Sequence, residues 1–175
     1  MNRKTNVKRI ASWAIGREEG RLGVSLEYVR EIAEASTAAV TKFALLAPFA
    51  SHRRRLPKTA YHLVKLTVTG FADCGASVQI TLNQALNDGV PQSYLRSVLQ
   101  DHLDELPLAL REVCEYARAV VEGWDNPELR ETLRSRYGTE GLAELAFAIG
   151  SAQLFPTVKR AMGHAQTCST HPVTV

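Results

Sequence analysis

Cys74 and Ser77 stand three residues apart at the start of a predicted helix, with Thr81 four positions further on. A helix N-terminus offers free N–H groups and the positive end of its dipole, which together stabilise a thiolate, so a cysteine placed there can become a nucleophile. The spacing is that of a C-x-x-C redox pair with a hydroxyl where the second sulfur would be. Cys74 therefore cannot close a disulfide inside the motif, and its chemistry must differ from a self-contained dithiol cycle. His62, on the preceding helix, is the candidate base or cationic partner for Cys74 across the helix pair. Each residue also has a plainer reading. A lone cysteine near a helix start is a small buried hydrophobe, a histidine four positions before Leu66 is a hydrogen-bonded packing residue, and a helical serine bonds back to the preceding turn.

Two further thiols frame this one. Cys114 lies among Val113, Tyr116 and Ala117 on an amphipathic stretch and reads as core, whereas Cys168 follows the last predicted helix and could resolve an oxidised Cys74 in its own chain or a neighbour's. Three widely spaced cysteines make no disulfide framework and fit a reducing compartment. No metal site is expected, because the five histidines show no ligand spacing and His164 with Cys168 supplies only two ligands. No cofactor is expected either: a glycine-rich phosphate loop, a G-x-S-x-G elbow and a dinucleotide fingerprint are all missing from the sequence. The net charge of +3 gathers at Arg3, Lys4, Lys8, Arg9, Arg53–Arg55 and Lys58 without interleaved aromatics, which argues against nucleic acid as a partner and makes Arg53–Arg55 a solvated linker. Phe43–Ala50 and Leu142–Phe155 are too short or too interrupted to span a bilayer, so no membrane association is expected. The basic N-terminus lacks the apolar core of a secretory signal, and the expected location is the cytoplasm.

The elements that must position these residues read as helix after helix, with apolar positions at three- and four-residue spacing, giving an all-α single domain over residues 1–175. Ser25 is expected to cap one helix running to Pro48, Ser51–Leu56 forms a linker, and Pro57 opens a helix toward Gly70. Asp73 is expected to cap the next helix, which ends at Asp88 before Gly89; Pro91 opens a short helix, and Leu106–Glu122 forms a longer one. Asn126-Pro127-Glu128 opens a helix stopping near Gly138, and a last helix runs from Glu140 to about His164 with a kink or division at Pro156.

The run Cys74, Ser77, Thr81, Ala85, Gly89, Val90 resembles the signature of the AhpD-like family, also called the carboxymuconolactone decarboxylase family: a C-x-x-C-x-x-x-H helix, then alanine, then a Gly-Val turn. The likeness in helix order covers roughly Pro57 to Val98 and, more loosely, Leu142–Gly163, with Leu56-Pro57 similar to the family's Leu-Pro start. Asp73–Ile80 also looks like a variant of a Cys-Gly-x-Cys-Val-Gln-Ile motif from a branch lacking the motif histidine. The resemblance implies an AhpD-like helical bundle with its motif-bearing helix pair at residues 57–89, assembled as a homo-oligomer. In peroxidase members a glutamate twelve positions before the first cysteine, two thiols and the motif histidine form a relay. The matching positions here are His62, Cys74, Ser77 and Thr81, so only the first cysteine persists. Three functions fit: a thiol-dependent hydroperoxide reductase using Cys74 with a small-molecule substrate and a thiol reductant, which is favoured; a binding or non-catalytic member that has lost the relay; and a decarboxylase-like acid/base enzyme using His62.

Overall fold

The computed structural model describes residues 3–72 and 74–164, with side chains from Arg9 onward. The chain is all-α, and among the described residues there is no strand. It falls into two compact units, Met1–Phe49 and Ala50–Val175.

The first unit contains α1 (Arg3–Leu22), α2 (Glu27–Ala35) and α3 (Thr37–Ala44), and the division between the units falls inside the short α4 (Leu46–Ser51). One continuous helix was expected from Ser25 to Pro48, but the chain breaks at Ser36, which is extended (φ −155, ψ 114) and whose Oγ accepts the Ala39 N–H at 3.2 Å. A serine hydroxyl competes for backbone donors in this way, ending one helix and capping the next. Ser25 does not cap α2. Leu26 is the N-cap, and its N–H donates 2.8 Å to Glu19 Oε1, a carboxylate seven residues upstream that also pairs with Arg30. Pro48 does not end the helix it was expected to end: it lies in the first turn of α4, where the backbone donors have no helical partner to lose.

The second unit is built around α5 (Lys58–Phe71), which packs against α6 (Gly75–Asn87), α7 (Gln92–Leu99), α8 (Leu108–Glu122) and α9 (Pro127–Ala161). Leu63, Val64, Leu66 and Val68 of α5 are completely buried, and burying each such side chain contributes ~1.5–3 kcal/mol. Pro57, Pro91 and Pro107 stand immediately before α5, α7 and α8, each extended with ψ of 144, 131 and 139. The fixed φ of proline suits a helix entry, and its missing N–H falls where no helical partner exists. Asn126 caps α9 as its sequence suggests, with Oδ1 accepting the Leu129 N–H at 3.0 Å.

The expected break in α9 is present at Gly138, whose φ of 73 and ψ of 174 belong to a region open essentially to glycine alone. The expected kink at Pro156 does not divide the helix, which continues to Ala161 with the proline ring buried. One backbone hydrogen bond is lost there, while the ring's burial in the interior offsets it. By length and composition α9 could cross a membrane, yet Leu133, Leu145, Ala148, Ile149 and Ala152 pack into the core with α5 and α8.

The segment between α4 and α5 is not simply a solvated linker. Glu144, on α9 and only 1% exposed, accepts three consecutive backbone donors: Arg54 N–H to Oε1 at 2.6 Å, Arg55 N–H to Oε2 at 3.0 Å, and Leu56 N–H to Oε2 at 2.8 Å. Burial pushes this carboxyl up, but the three donors outweigh it and leave the group below its ordinary value. The ionised glutamate thus fixes the approach to α5.

Candidate functional site

Cys74 is the N-cap of α6 (φ −125, ψ 89), and its carbonyl accepts the Val78 N–H at 2.9 Å, starting the helix. Its side chain is 0% exposed. Ser77, one turn on and half-buried, donates from Oγ to Cys74 Sγ at 3.1 Å, so the two residues expected to act together are in contact. Ser77 Oγ is thus placed to donate to the sulfur, while the sulfur itself is enclosed by protein. Thr81 is buried and donates to the Ser77 carbonyl at 3.0 Å, a bond local to the helix. Arg160 near the end of α9 donates from Nη2 to the Ala72 carbonyl at 2.8 Å, which fastens the turn before α6 and brings a guanidinium two residues from Cys74. Asp73, expected to cap α6, lies outside the described residues.

His62 is not brought to the thiol. It sits in the second turn of α5, 3% exposed, and its Nε2 is 2.7 Å from Asp88 Oδ2 at the far end of α6. Asp88 lies fourteen residues beyond Cys74, a rise of ~21 Å, so after side-chain reach the sulfur and the imidazole are separated by at least ~12 Å. The expected His62–Cys74 partnership is thereby corrected: α5 and α6 run antiparallel, and the histidine meets the C-terminal end of α6 instead of its start. Burial pushes the imidazole below its ordinary value; the Asp88 carboxylate opposes that without reversing it. The His62 hydrogen bond holds the Asp88 carboxyl below the usual range. Near neutral pH the pair is a neutral imidazole donating from Nε2 to an ionised carboxylate, which leaves Nδ1 as an acceptor. Nδ1 is buried and has no hydrogen-bond partner.

Cys114 is core, as its surroundings in the sequence indicate: it is completely buried on α8, and burial pushes its thiol up to about 12. Cys168, expected as a resolving thiol, lies outside the described residues, and among the described residues no group of His, Cys, Asp and Glu could hold a metal ion. The reading missed Asp88, Arg160 and Glu144. One signal was available for the first: His62 and Asp88 each stand thirteen residues from Gly75, so a tight antiparallel hairpin centred there must bring them opposite each other. Compared with protein-family models, with curated proteins and with solved structures, the chain gives no match.

Proposed function

We propose that this chain is a thiol-dependent hydroperoxide reductase of the AhpD-like kind, with Cys74 as its reacting group and Ser77 as the hydroxyl that supports the thiolate. The observation that carries the reading is the 3.1 Å hydrogen bond from Ser77 Oγ to Cys74 Sγ at the start of α6. Arg160, anchored on the Ala72 carbonyl, adds a cation to the same turn. The thiolate attacks the terminal oxygen of a small hydroperoxide and the O–O bond breaks; the departing alkoxide takes a proton and leaves as an alcohol, while Cys74 becomes a sulfenic acid. Two equivalents of an external thiol then return the sulfur to the thiol, releasing water and a disulfide. His62 has no part in this sequence. Because the sulfur is 0% exposed, the reading requires local opening of the protein around Cys74 to admit the peroxide. The same reading takes the protein to be a cytoplasmic homo-oligomer, in keeping with the family resemblance and with the exposed Leu108 and Trp124 at the two ends of α8.

The test is exposure of the protein to one equivalent of cumene hydroperoxide, followed by mass spectrometry of each thiol. Sulfenic acid trapped at Cys74, absent in Cys74→Ser and slower to form in Ser77→Ala, is expected. A Cys74 that stays reduced while a Ser77→Cys variant becomes oxidised would show a disabled dithiol site. No reaction in either protein would leave a binding role.

A further inference from the structure

The second half of α9 is neutral on its outer side as well as its inner one. From Leu145 to Val158 the chain carries no charged residue. The inner side of this stretch, through Leu145, Ala148, Ile149 and Ala152, belongs to the core. The outer side presents Ala143, Ala146, Phe147, Gln153 and Thr157, all exposed, around a half-buried Gly150. A surface helix ordinarily turns charged side chains outward, so a neutral outer face marks a surface that meets something other than water.

Gly150 stands at the middle of that face. Its backbone is helical, and a Cβ built on it meets nothing within 4 Å, so packing within the chain does not call for a glycine there. Glycine in a helix interior costs ~0.5–1 kcal/mol relative to alanine. What the missing side chain does permit is the close approach of a second backbone from outside. Small and uncharged polar side chains gain little from lipid tails, whereas they let another helix settle at short range.

The charges that bound the face identify that helix. Glu140 and Arg160 each stand ten residues from Gly150, one toward either end of α9. At 3.6 residues per turn they lie on opposite flanks of the face, ~80° to either side of Gly150. A two-fold axis through Gly150 reverses the helix and exchanges its flanks together, so Glu140 of one copy meets Arg160 of the other on the same edge, twice over. Both side chains are available for this. Glu140 is 48% exposed while holding Arg55, and Arg160 is exposed while holding the Ala72 carbonyl.

We propose that the outer face of α9 is the contact with a second copy of this chain, the two helices packed antiparallel about a two-fold at Gly150 and latched at each end by Glu140 and Arg160. The proposal deepens the homo-oligomer of the reading above by naming its surface, and it does not depend on peroxide chemistry. It also ties assembly to the thiol site: Arg160 fastens the turn before α6, so the Glu140 of a second copy stands beside that turn.

The experiment is sedimentation velocity of the full-length protein over a concentration series, with Gly150→Leu, Glu140→Arg and Arg160→Glu variants whose helix content is checked by circular dichroism. A reversible dimer is expected. Gly150→Leu puts its side chain into open space in the monomer and into the partner's backbone in the dimer, so it should weaken association at least tenfold with the fold intact. Each charge reversal sets like charges together at both ends and should weaken it about tenfold. An equal mixture of Glu140→Arg and Arg160→Glu should recover the original affinity, because a heterodimer of the two restores opposite charges at both latches. A dimer indifferent to Gly150→Leu, or a mixture no tighter than its components, would overturn the proposal. So would a monomer at every concentration, whether free or bound to lipid vesicles; if its Cys74 still forms sulfenic acid, the thiol reading survives without this interface.

Discussion

Glu144→Gln is the perturbation whose size follows most directly from the structure. The carboxylate serves three backbone donors, that of Leu56 buried and those of Arg54 and Arg55 partly so, at 2.8, 2.6 and 3.0 Å. A glutamine keeps one acceptor oxygen and turns an NH2 toward the same donors, so at least one backbone N–H loses its partner. Hydrogen bonds to a charged group contribute ~1.5–3 kcal/mol each, and a buried donor left unmatched costs ~1–3 kcal/mol. Part of this is recovered by the remaining oxygen and by not burying a charge, which leaves an expected loss of ~2–4 kcal/mol. The assay is urea unfolding, where a slope of ~2 kcal/mol/M, mid-range for a small protein, turns that loss into a midpoint lower by about 1–2 M at unchanged slope. Glu140→Gln supplies the control, because Glu140 meets Arg55 at 2.9 Å on the exposed surface, where such pairs contribute ~0–1 kcal/mol. The carboxyl's folded value lies below its ordinary 4.5, so its contribution is complete above that value and disappears as pH falls through the folded one. The Gln variant should lack this acidic limb. A Glu144→Gln protein no less stable than Glu140→Gln would refute the reasoning, because the three donors would then be finding equal partners elsewhere.

For His62 the folded value lies below the ordinary 6.5, so the unfolded chain binds the extra proton first; stability should decline as pH drops below about 6.5, and Asp88→Asn should steepen the decline. Chemical denaturation at a series of pH values reads both slopes, and a flat profile would contradict the buried neutral imidazole. Gly141→Ala should destabilise the protein by ~1–3 kcal/mol in thermal or urea melts, because the new methyl would stand 2.5 Å from Tyr137 Cβ, the immobile root of a side chain. Cys114, pushed up to about 12 and fully enclosed, should resist iodoacetamide in the native protein and react only in denaturant; rapid native labelling at this site would show that α8 opens readily.

Helix content was legible because it rests on a local signal. Apolar spacing marked α5 and α8, prolines marked three helix entries, and Gly138 stood out as the break before the last helix. Where the reading slipped, two features of equal local strength competed. Ser36 cuts a long amphipathic stretch that carries no glycine or proline to announce the cut, and Pro156 sits in a run where tertiary burial overrides the usual penalty. The Cys74–Ser77 contact was readable for the same local reason, being one helical turn apart. Glu144–Leu56 was not, since it joins residues 88 positions apart, and His62–Asp88, 26 apart, was legible only through the symmetry of the hairpin about Gly75. In sequence Glu144 is a charge interrupting an apolar run, and only the three-dimensional path reveals that it has donors to meet.

That separation bears on the order in which the molecule assembles. The α5–α6 hairpin closes a short loop and can form early, whereas the Glu144 contacts require α9 to have docked against chain nearly ninety residues upstream. Residues 54–56 should therefore acquire their native backbone late, after the folding barrier has been crossed. Loss of the carboxylate would then leave the refolding rate almost untouched and appear mainly as faster unfolding, so this single glutamate would set the native state's lifetime more than the ease of reaching it.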